Sequence, residues 1–228
     1  MSSLETLLEA AGVENRLIEP LARYGTRVLE ANRRFNLTGA KSADELSLHL
    51  IDSLSVVPYL REPYVDVGSG AGFPAVAVAI ATGIEITLVE ATLKKARFLE
   101  ALLEGLDLRG AVVAERAETA GHRDDLRERF ASGTARAVAG APTVAELLLP
   151  LIATGGVAVM QRGAFNPAER TSLEDAALVL GGALEDEVEL DRDRRILLVR
   201  KQAATPLRFP RRPGIPEKRP LCEPPGFA

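Results

Sequence analysis

The sequence predicts an α/β protein: a mostly parallel seven-stranded sheet with an antiparallel terminal strand, preceded by a helical N-terminal extension. Three observations carry this. From Tyr64 onward, short apolar runs alternate with helical patterns, the rhythm of repeated βαβ units. Alternating glycines, Gly68-Ser69-Gly70-Ala71-Gly72, join the first of those runs to a helical pattern. The last two strand-like runs stand too close together for a crossover, so they must pair antiparallel.

Taken in order, Leu4, Leu7, Leu8 and Ala11 recur at helical spacing, and so do Leu17, Leu21, Tyr24, Val28 and Leu29, with Gly12 between the two patterns. A polar turn, Asn32 to Gly39, follows. Ser42 and Glu45 form a capping-box pattern for a helix with Leu46, Leu50, Ile51 and Leu54 as its stripe. His49, Asp52 and Ser53 share one side of that helix. Strands are expected at 64–67, 85–89, 111–115, 135–139, 156–161, 183–190 and 194–200. Helices are expected at 73–82, 93–106, about 123–130, 143–152 and 167–180. Pro74 suits a first helical position. Gly155-Gly156 reads as the turn between a helix end and the fifth strand, and Asp191-Arg192-Asp193 as the hairpin loop. From Ala203 the chain is rich in proline and arginine and reads as an extended, surface-held tail. The expected division is 1–60 for the helical extension, 61–202 for the α/β domain and 203–228 for the tail.

Composition narrows the function classes. The formal net charge is −4, so contact with nucleic acid needs a local basic cluster rather than a global field. Cys222 is the only cysteine, which excludes an internal disulfide and a cysteine-built metal centre; no metal is expected. No basic segment followed by an apolar core opens the chain, and the longest apolar run, Phe73 to Ala81, is too short to span a bilayer. A cytoplasmic protein, with nothing indicating more than a monomer and no membrane partner, is the expectation.

The glycine turn needs Cβ-free residues because its backbone approaches a ligand closely and adopts unusual dihedral angles. Gly68, Gly70 and Gly72, with Phe73 after them, are therefore cofactor-binding candidates at the N-terminus of a helix. Glu90 ends the second strand roughly twenty residues on, where a carboxylate can take both ribose hydroxyls of an adenosine. Ala91 and Thr92 follow it at the same strand end. Beyond the third strand, Ala117 offers a backbone amide and Glu118 an acceptor to an adenine edge. A nicotinamide dinucleotide and S-adenosylmethionine share that adenosine, so these residues alone leave both open. The terminal hairpin favours the second, because dehydrogenase domains usually end in another parallel crossover.

Over nearly its whole length the chain resembles the RsmG (GidB) family of small-subunit ribosomal RNA methyltransferases. The matching stretches are Asn32 to Thr38, His49 to Leu54, Asp66 to Pro74, Arg116-Ala117-Glu118, Ala135-Arg136-Ala137 and Phe209 to Gly214. Gly39, Ala75 and Arg162 depart from the family's usual residues, outside the core cofactor pattern. The resemblance implies a Rossmann-like class I methyltransferase fold and S-adenosyl-L-methionine as cofactor. It also implies methylation of guanine N7, at the position conventionally numbered 527, in the 16S rRNA of the 30S subunit.

That nitrogen carries a free lone pair, so no general base is expected. The enzyme's task is positioning. Arg136, by resemblance near the cofactor, can donate to guanine O6 or to a phosphate; the alternative is an arginine paired to a nearby carboxylate. Asn36 is the candidate for contacting the cofactor or the guanine edge. His49 and Asp52 either meet substrate or pair with each other as a structural hydrogen bond. Arg33, Arg34 and Lys41 in the extension, and Arg200, Lys201, Arg208, Arg211, Arg212, Lys218 and Arg219 at the chain's end, are expected to converge on RNA phosphates. The competing classes are a nicotinamide-dependent oxidoreductase and a non-catalytic RNA-binding assembly module.

Overall fold

The computed structural model describes residues 3–136, 139–191 and 193–222. Helices α1 (Leu4–Ala10), α2 (Asn15–Asn32) and α3 (Ala43–Leu54) come first. The α2 stripe of Leu17, Leu21, Tyr24 and Val28 is buried, as its spacing requires. Ser42 Oγ accepts from the Glu45 amide at 3.2 Å, but the Glu45 carboxylate accepts from Lys41 N–H instead of Ser42 N–H. Half of the expected capping box therefore forms, displaced by one residue.

The α/β part runs β1 (Tyr64–Val67), α4 (Ala75–Thr82), β2 (Ile86–Val89), α5 (Leu93–Gly105), β3 (Gly110–Val113), α6 (Ala117–Ala120), β4 (Phe130–Arg136), α7 (Ala141–Leu148), β5 (Ile152–Arg162), α8 (Pro167–Val179), β6 (Gly182–Glu189), β7 (Arg195–Lys201) and α9 (Ile215–Lys218). The sheet order is β3-β2-β1-β4-β5-β7-β6. The pairs among β1 to β5 are parallel, and β7 runs antiparallel to both β5 and β6. This is the expected fold class, with the reversed strand inserted inside the edge strand.

Register positions the site. Val67 of β1 pairs with Val89 of β2 and Ala135 of β4. The next residues of these strands are Gly68, Glu90 and Arg136, so the three emerge side by side at the carboxyl edge, where open α/β sheets bind ligands. One apolar cluster joins α1, α2 and α3 to α4 and α5 on one sheet face; a second joins α7, α8 and Phe209 of the tail on the other.

Several sequence expectations need correction. The fourth strand is 130–136 rather than 135–139; residues 137 and 138 lie outside those described. Its inward Ser132 and Thr134 hide the apolar signal, yet both are buried and satisfied, Ser132 by the Arg61 backbone and Thr134 by Asp66. No helix forms at 123–130. There Arg127 turns inward and donates to the carbonyls of Gly121, Thr205 and Phe209, clamping the tail. The expected helix at 143–152 is α7, and it ends at Leu148. Gly155-Gly156 is not the turn before a strand but a bulge inside β5, where pairing jumps from Phe130–Ile152 to Ser132–Val157. Pro74 stands just before α4 as its cap residue, and the helix starts at Ala75. The hairpin loop includes Arg192, which lies outside the described residues.

The tail departs most from expectation. Rather than lying extended on the surface, it buries Thr205, Phe209, Pro210 and Pro216. His122 is exposed, with its Nε2 2.7 Å from the Pro210 carbonyl. Lys201, fully buried, donates to Glu128, Thr205 and the Leu149 carbonyl. Residues 223–228 of the expected tail lie outside those described.

Candidate active site

The glycine turn is built by backbone geometry. Gly68, Gly70 and Gly72 have φ of 71°, 55° and 101°, conformations that side chains rarely tolerate. At Gly72 a Cβ would stand 2.6 Å from Val76 Cγ2 and 3.0 Å from the Tyr24 hydroxyl. Tyr24 is a buttress from the helical extension: its hydroxyl donates to the Ala71 carbonyl at 3.0 Å, its ring packs 5.3 Å from Phe73, and burial pushes its phenol pKa well up. Asn32 performs a similar task for the preceding loop. Its side-chain oxygen accepts from Leu37 and Thr38 N–H, and its amide donates to the Ala40 carbonyl.

Glu90 is buried and held by two backbone donors. One carboxylate oxygen accepts from Gly70 N–H at 2.9 Å and the other from Thr92 N–H at 2.7 Å. A recess of about 130 Å³ opens beside it, bordered by Gly68, Ala91, Ala117, Glu118, Thr143 and Pro216. Glu118 lies where expected, with one oxygen accepting from Gly214 N–H at 2.8 Å. The folded tail thus forms one wall. Thr143 Oγ1 donates to the Pro216 carbonyl at 2.9 Å, which seats α9 against the recess. Pro216 escaped sequence reasoning because only the tertiary path of the tail brings it there.

Asp66 lies buried in β1, just before the turn. Tyr64 donates to Thr134, and Thr134 donates to one Asp66 oxygen at 2.5 Å. The other oxygen, Oδ2, has no partner among the described residues. Burial pushes this carboxyl up to about 7.

A second, wider cleft of about 480 Å³ lies between α3, the ends of β4 and β5, and the β6–β7 hairpin. Arg136 donates to Asp52 at 3.3 Å, and Arg194 donates to the other Asp52 oxygen. The expected alternative for Arg136, pairing with a carboxylate, is therefore realised in the protein by itself. His49 and Asp52 do not hydrogen-bond to each other; both arginines take the Asp52 carboxylate instead. The guanidinium of Arg136 stands 4.9 Å from the Phe73 ring, and His49 packs on that ring at 5.8 Å. Burial, then the Arg136 charge, push the His49 pKa down. Gln161 fixes the α3 terminus, donating to the Asp52 carbonyl at 2.8 Å. Arg162 donates to the Ala139 carbonyl at 2.7 Å. Gln161 and Arg194 carry no local sequence signal; Arg194 reaches Asp52 only because the hairpin folds back.

The remaining candidates are scattered. Arg33, Arg34 and Asn36 are exposed on the loop after α2, and Asn36 makes no hydrogen bond among the described residues. Arg208 stacks 5.0 Å over Phe209 and, like Arg212, is exposed. Arg211 turns inward rather than toward solvent, gripping the fully buried Glu146 through its backbone N–H, Nε and Nη2. Arg200 is paired with Glu185 and Lys201 with Glu128. The expected convergence of basic residues thus loses these three to structural pairs.

The residues present fit an adenosyl cofactor. Positive-φ glycines bring backbone to its edge, Glu90 keeps free lone pairs between two fixed donors, and Asp66 holds an orphaned acceptor beneath the turn.

A family model, GidB, rRNA small subunit methyltransferase G, matches residues 17–197. A Ribosomal RNA small subunit methyltransferase G of Dictyoglomus thermophilum is 37% identical, with 94% of this chain and 96% of that protein covered. The protein of the same name from Nostoc sp. is 40% identical, covering 85% and 86%. Among solved structures, geranyl diphosphate C-methyltransferase from Streptomyces coelicolor matches with a TM-score of 0.58 at 11% identity, covering 70% of this chain and 81% of that one. The PH0226 protein of Pyrococcus horikoshii matches with a TM-score of 0.56 at 13% identity, covering 76% and 99%. These structural likenesses show the fold.

Proposed function

The chain belongs to the GidB family, rRNA small subunit methyltransferase G, and on that premise we propose that it methylates guanine N7 in the 16S rRNA of the 30S subunit, using S-adenosylmethionine. The target we take is the position conventionally numbered 527, as the family resemblance implies. One observation supports the choice of atom. Among the described residues Asp52 is the only carboxylate bordering the wide cleft, and two arginines already hold it. Its described residues therefore offer guanidinium donors and no free carboxylate base. This suits the major-groove edge of guanine, whose N7 and O6 are both acceptors, and a reaction in which no proton leaves the attacking nitrogen.

When bound, S-adenosylmethionine supplies a methyl group made electrophilic by its sulfonium. The chain's own part is placement. Glu90 and the turn's amides fix the adenosine side, while Asp66 offers its unpartnered oxygen beneath the turn. Arg136, at the end of β4, borders the wide cleft with its guanidinium against the Phe73 ring and donates toward the base, and the packed Phe73 and His49 rings exclude water. The exposed Arg33, Arg34, Arg208 and Arg212 contact phosphates. Arg211 supports the tail.

The test incubates the protein with methyl-labelled S-adenosylmethionine and either naked 16S rRNA or 30S subunits. Label is expected in guanine, at a site that reduction and aniline treatment cleave, as they do at N7-methylguanine. Arg136→Gln should lower the single-turnover rate about 100-fold. No label in either RNA would overturn the reading.

A further inference from the structure

A groove of about 350 Å³ separates α2 from α5, on the opposite side of β1 from the arginine cleft. Its walls carry Arg27, Arg34, Phe35, Lys94, Arg97 and Phe98. Phe35 and Phe98 meet edge to face at 6.3 Å, and both remain partly exposed. Lys94 holds its ammonium 4.5 Å above the Phe35 ring. Arg27 is anchored on the Gly105 carbonyl at 3.0 Å.

The charges here differ from those on the hairpin and α8. There, arginines are neutralised: Arg170 by Glu174 and Glu187, Arg195 by Glu187 and Glu189, Arg200 by Glu185. Arg34, Lys94 and Arg97 are exposed and have no carboxylate partner among the described residues, and Glu30 is the single acid bordering the groove. A chain of net charge −4 thus gathers unneutralised cations around two partly exposed aromatic rings. Lys94 and Arg97 lie one helical turn apart, on the same face of α5.

We propose that this groove binds the single-stranded RNA segment flanking the target nucleotide. Lys94, Arg97 and Arg34 take phosphates, and the Phe35–Phe98 step packs against a base or ribose. Cationic grooves with aromatic platforms bind single strands in this way because every nucleotide has a phosphate and a flat face. The location allows it. Phe35 belongs to the loop whose Leu37 carbonyl lies 4.0 Å from where a Cβ on Gly70 would stand, so the groove adjoins the glycine turn. Three strand spacings, about 14 Å, separate β2, which leads into α5, from β5 of the arginine cleft. One RNA segment can reach both.

This inference rests on the RNA-methyltransferase reading, and the experiment separates the two. Wild type and the double variant Lys94→Ala/Arg97→Ala are compared for binding of a 16S rRNA fragment across a salt series. Both are also compared for methylation of that fragment and of 30S subunits, after thermal unfolding and S-adenosylmethionine binding have shown the variant folded. The expected loss falls on KM rather than kcat, about tenfold or more, and the slope of log affinity against log salt becomes shallower by about 1.4. Phe98→Leu should raise KM as well, with the salt slope kept. Equal KM and equal slope in the double variant would overturn the groove while leaving the enzyme reading intact. A defect confined to 30S subunits, with an unchanged slope on the fragment, would assign the groove to a protein and also overturn it. A wild type that neither binds nor labels RNA fails the enzyme reading and takes the groove with it.

Discussion

The recess proposed for adenosine and the arginine cleft share one sheet edge, yet they are made in different ways. The recess is narrow and backbone-built: glycine dihedral angles, amides fixed on Glu90, and a tail segment seated as a wall. The cleft is wide and made by charged side chains. Asp52 comes from α3, Arg136 from a strand end and Arg194 from the distant hairpin. A backbone-built region tolerates almost no change in residue type, whereas a side-chain network can be retuned one member at a time. That division suits a constant cofactor beside a substrate whose shape and charge must be matched.

The largest expected effect breaks the backbone-built side alone. In Gly72→Ala the new Cβ meets Val76 at 2.6 Å and Tyr24 at 3.0 Å, on a backbone with φ of 101°. Strain of about 1–3 kcal/mol adds to overpacking of about 1–3 kcal/mol. S-adenosylmethionine affinity, read by calorimetry, should fall about 100-fold or more. The Asp52 network shares no atom with this turn, so RNA affinity in the absence of cofactor should stay near that of wild type. Equal loss of both affinities would show that the two regions are not independent.

The next prediction concerns Asp66, where the two regions meet. Its carboxyl, ordinarily near 4, is raised to about 7 in the fold. The folded state therefore holds the proton more tightly than the unfolded chain. The native fold keeps its full relative stability below the unfolded pKa, loses it progressively as pH rises from about 4 to 7, and loses no more above that. In Asp66→Asn the penalty is absent. Urea midpoints of the variant and wild type should therefore diverge in the variant's favour between pH 4 and 7. A constant difference over that range would mean that Asp66 does not titrate there.

What could be read in the sequence follows the same division. The glycine turn was legible because positive φ and close approach restrict the residue type at local spacing, and Glu90 because a strand end has a fixed offset from that turn. Register did the rest, carrying Gly68, Glu90 and Arg136 to one edge. The fourth strand was misplaced because Ser132 and Thr134 are buried by hydrogen bonding rather than by apolarity. Arg211 resembled a free cation, since nothing local announces that Glu146, far away in sequence, has no solvent and needs a partner. Arg194 and Pro216 were invisible for a related reason: a hairpin and a tail must fold back before either borders a site. Residue types constrained by backbone can be found by motif. Partners selected by burial cannot.

Tyr24 gives the smallest effect and the sharpest view of how the extension serves the recess. Its hydroxyl donates to the Ala71 carbonyl inside the glycine turn, while its ring packs on Phe73. Tyr24→Phe keeps the ring and removes the donor, leaving a buried carbonyl short of a partner, at a cost of about 1 kcal/mol. If the extension only covers apolar surface, that cost appears in global stability and S-adenosylmethionine affinity is unchanged. If Tyr24 holds the turn in its binding shape, affinity for S-adenosylmethionine drops about fivefold, and amide exchange at Ala71 and Gly72 speeds up selectively. The second outcome is expected, because the same hydroxyl is, with Val76, one of the atoms that a Cβ on Gly72 would meet. It both excludes a side chain from the turn and fixes the carbonyl beside it.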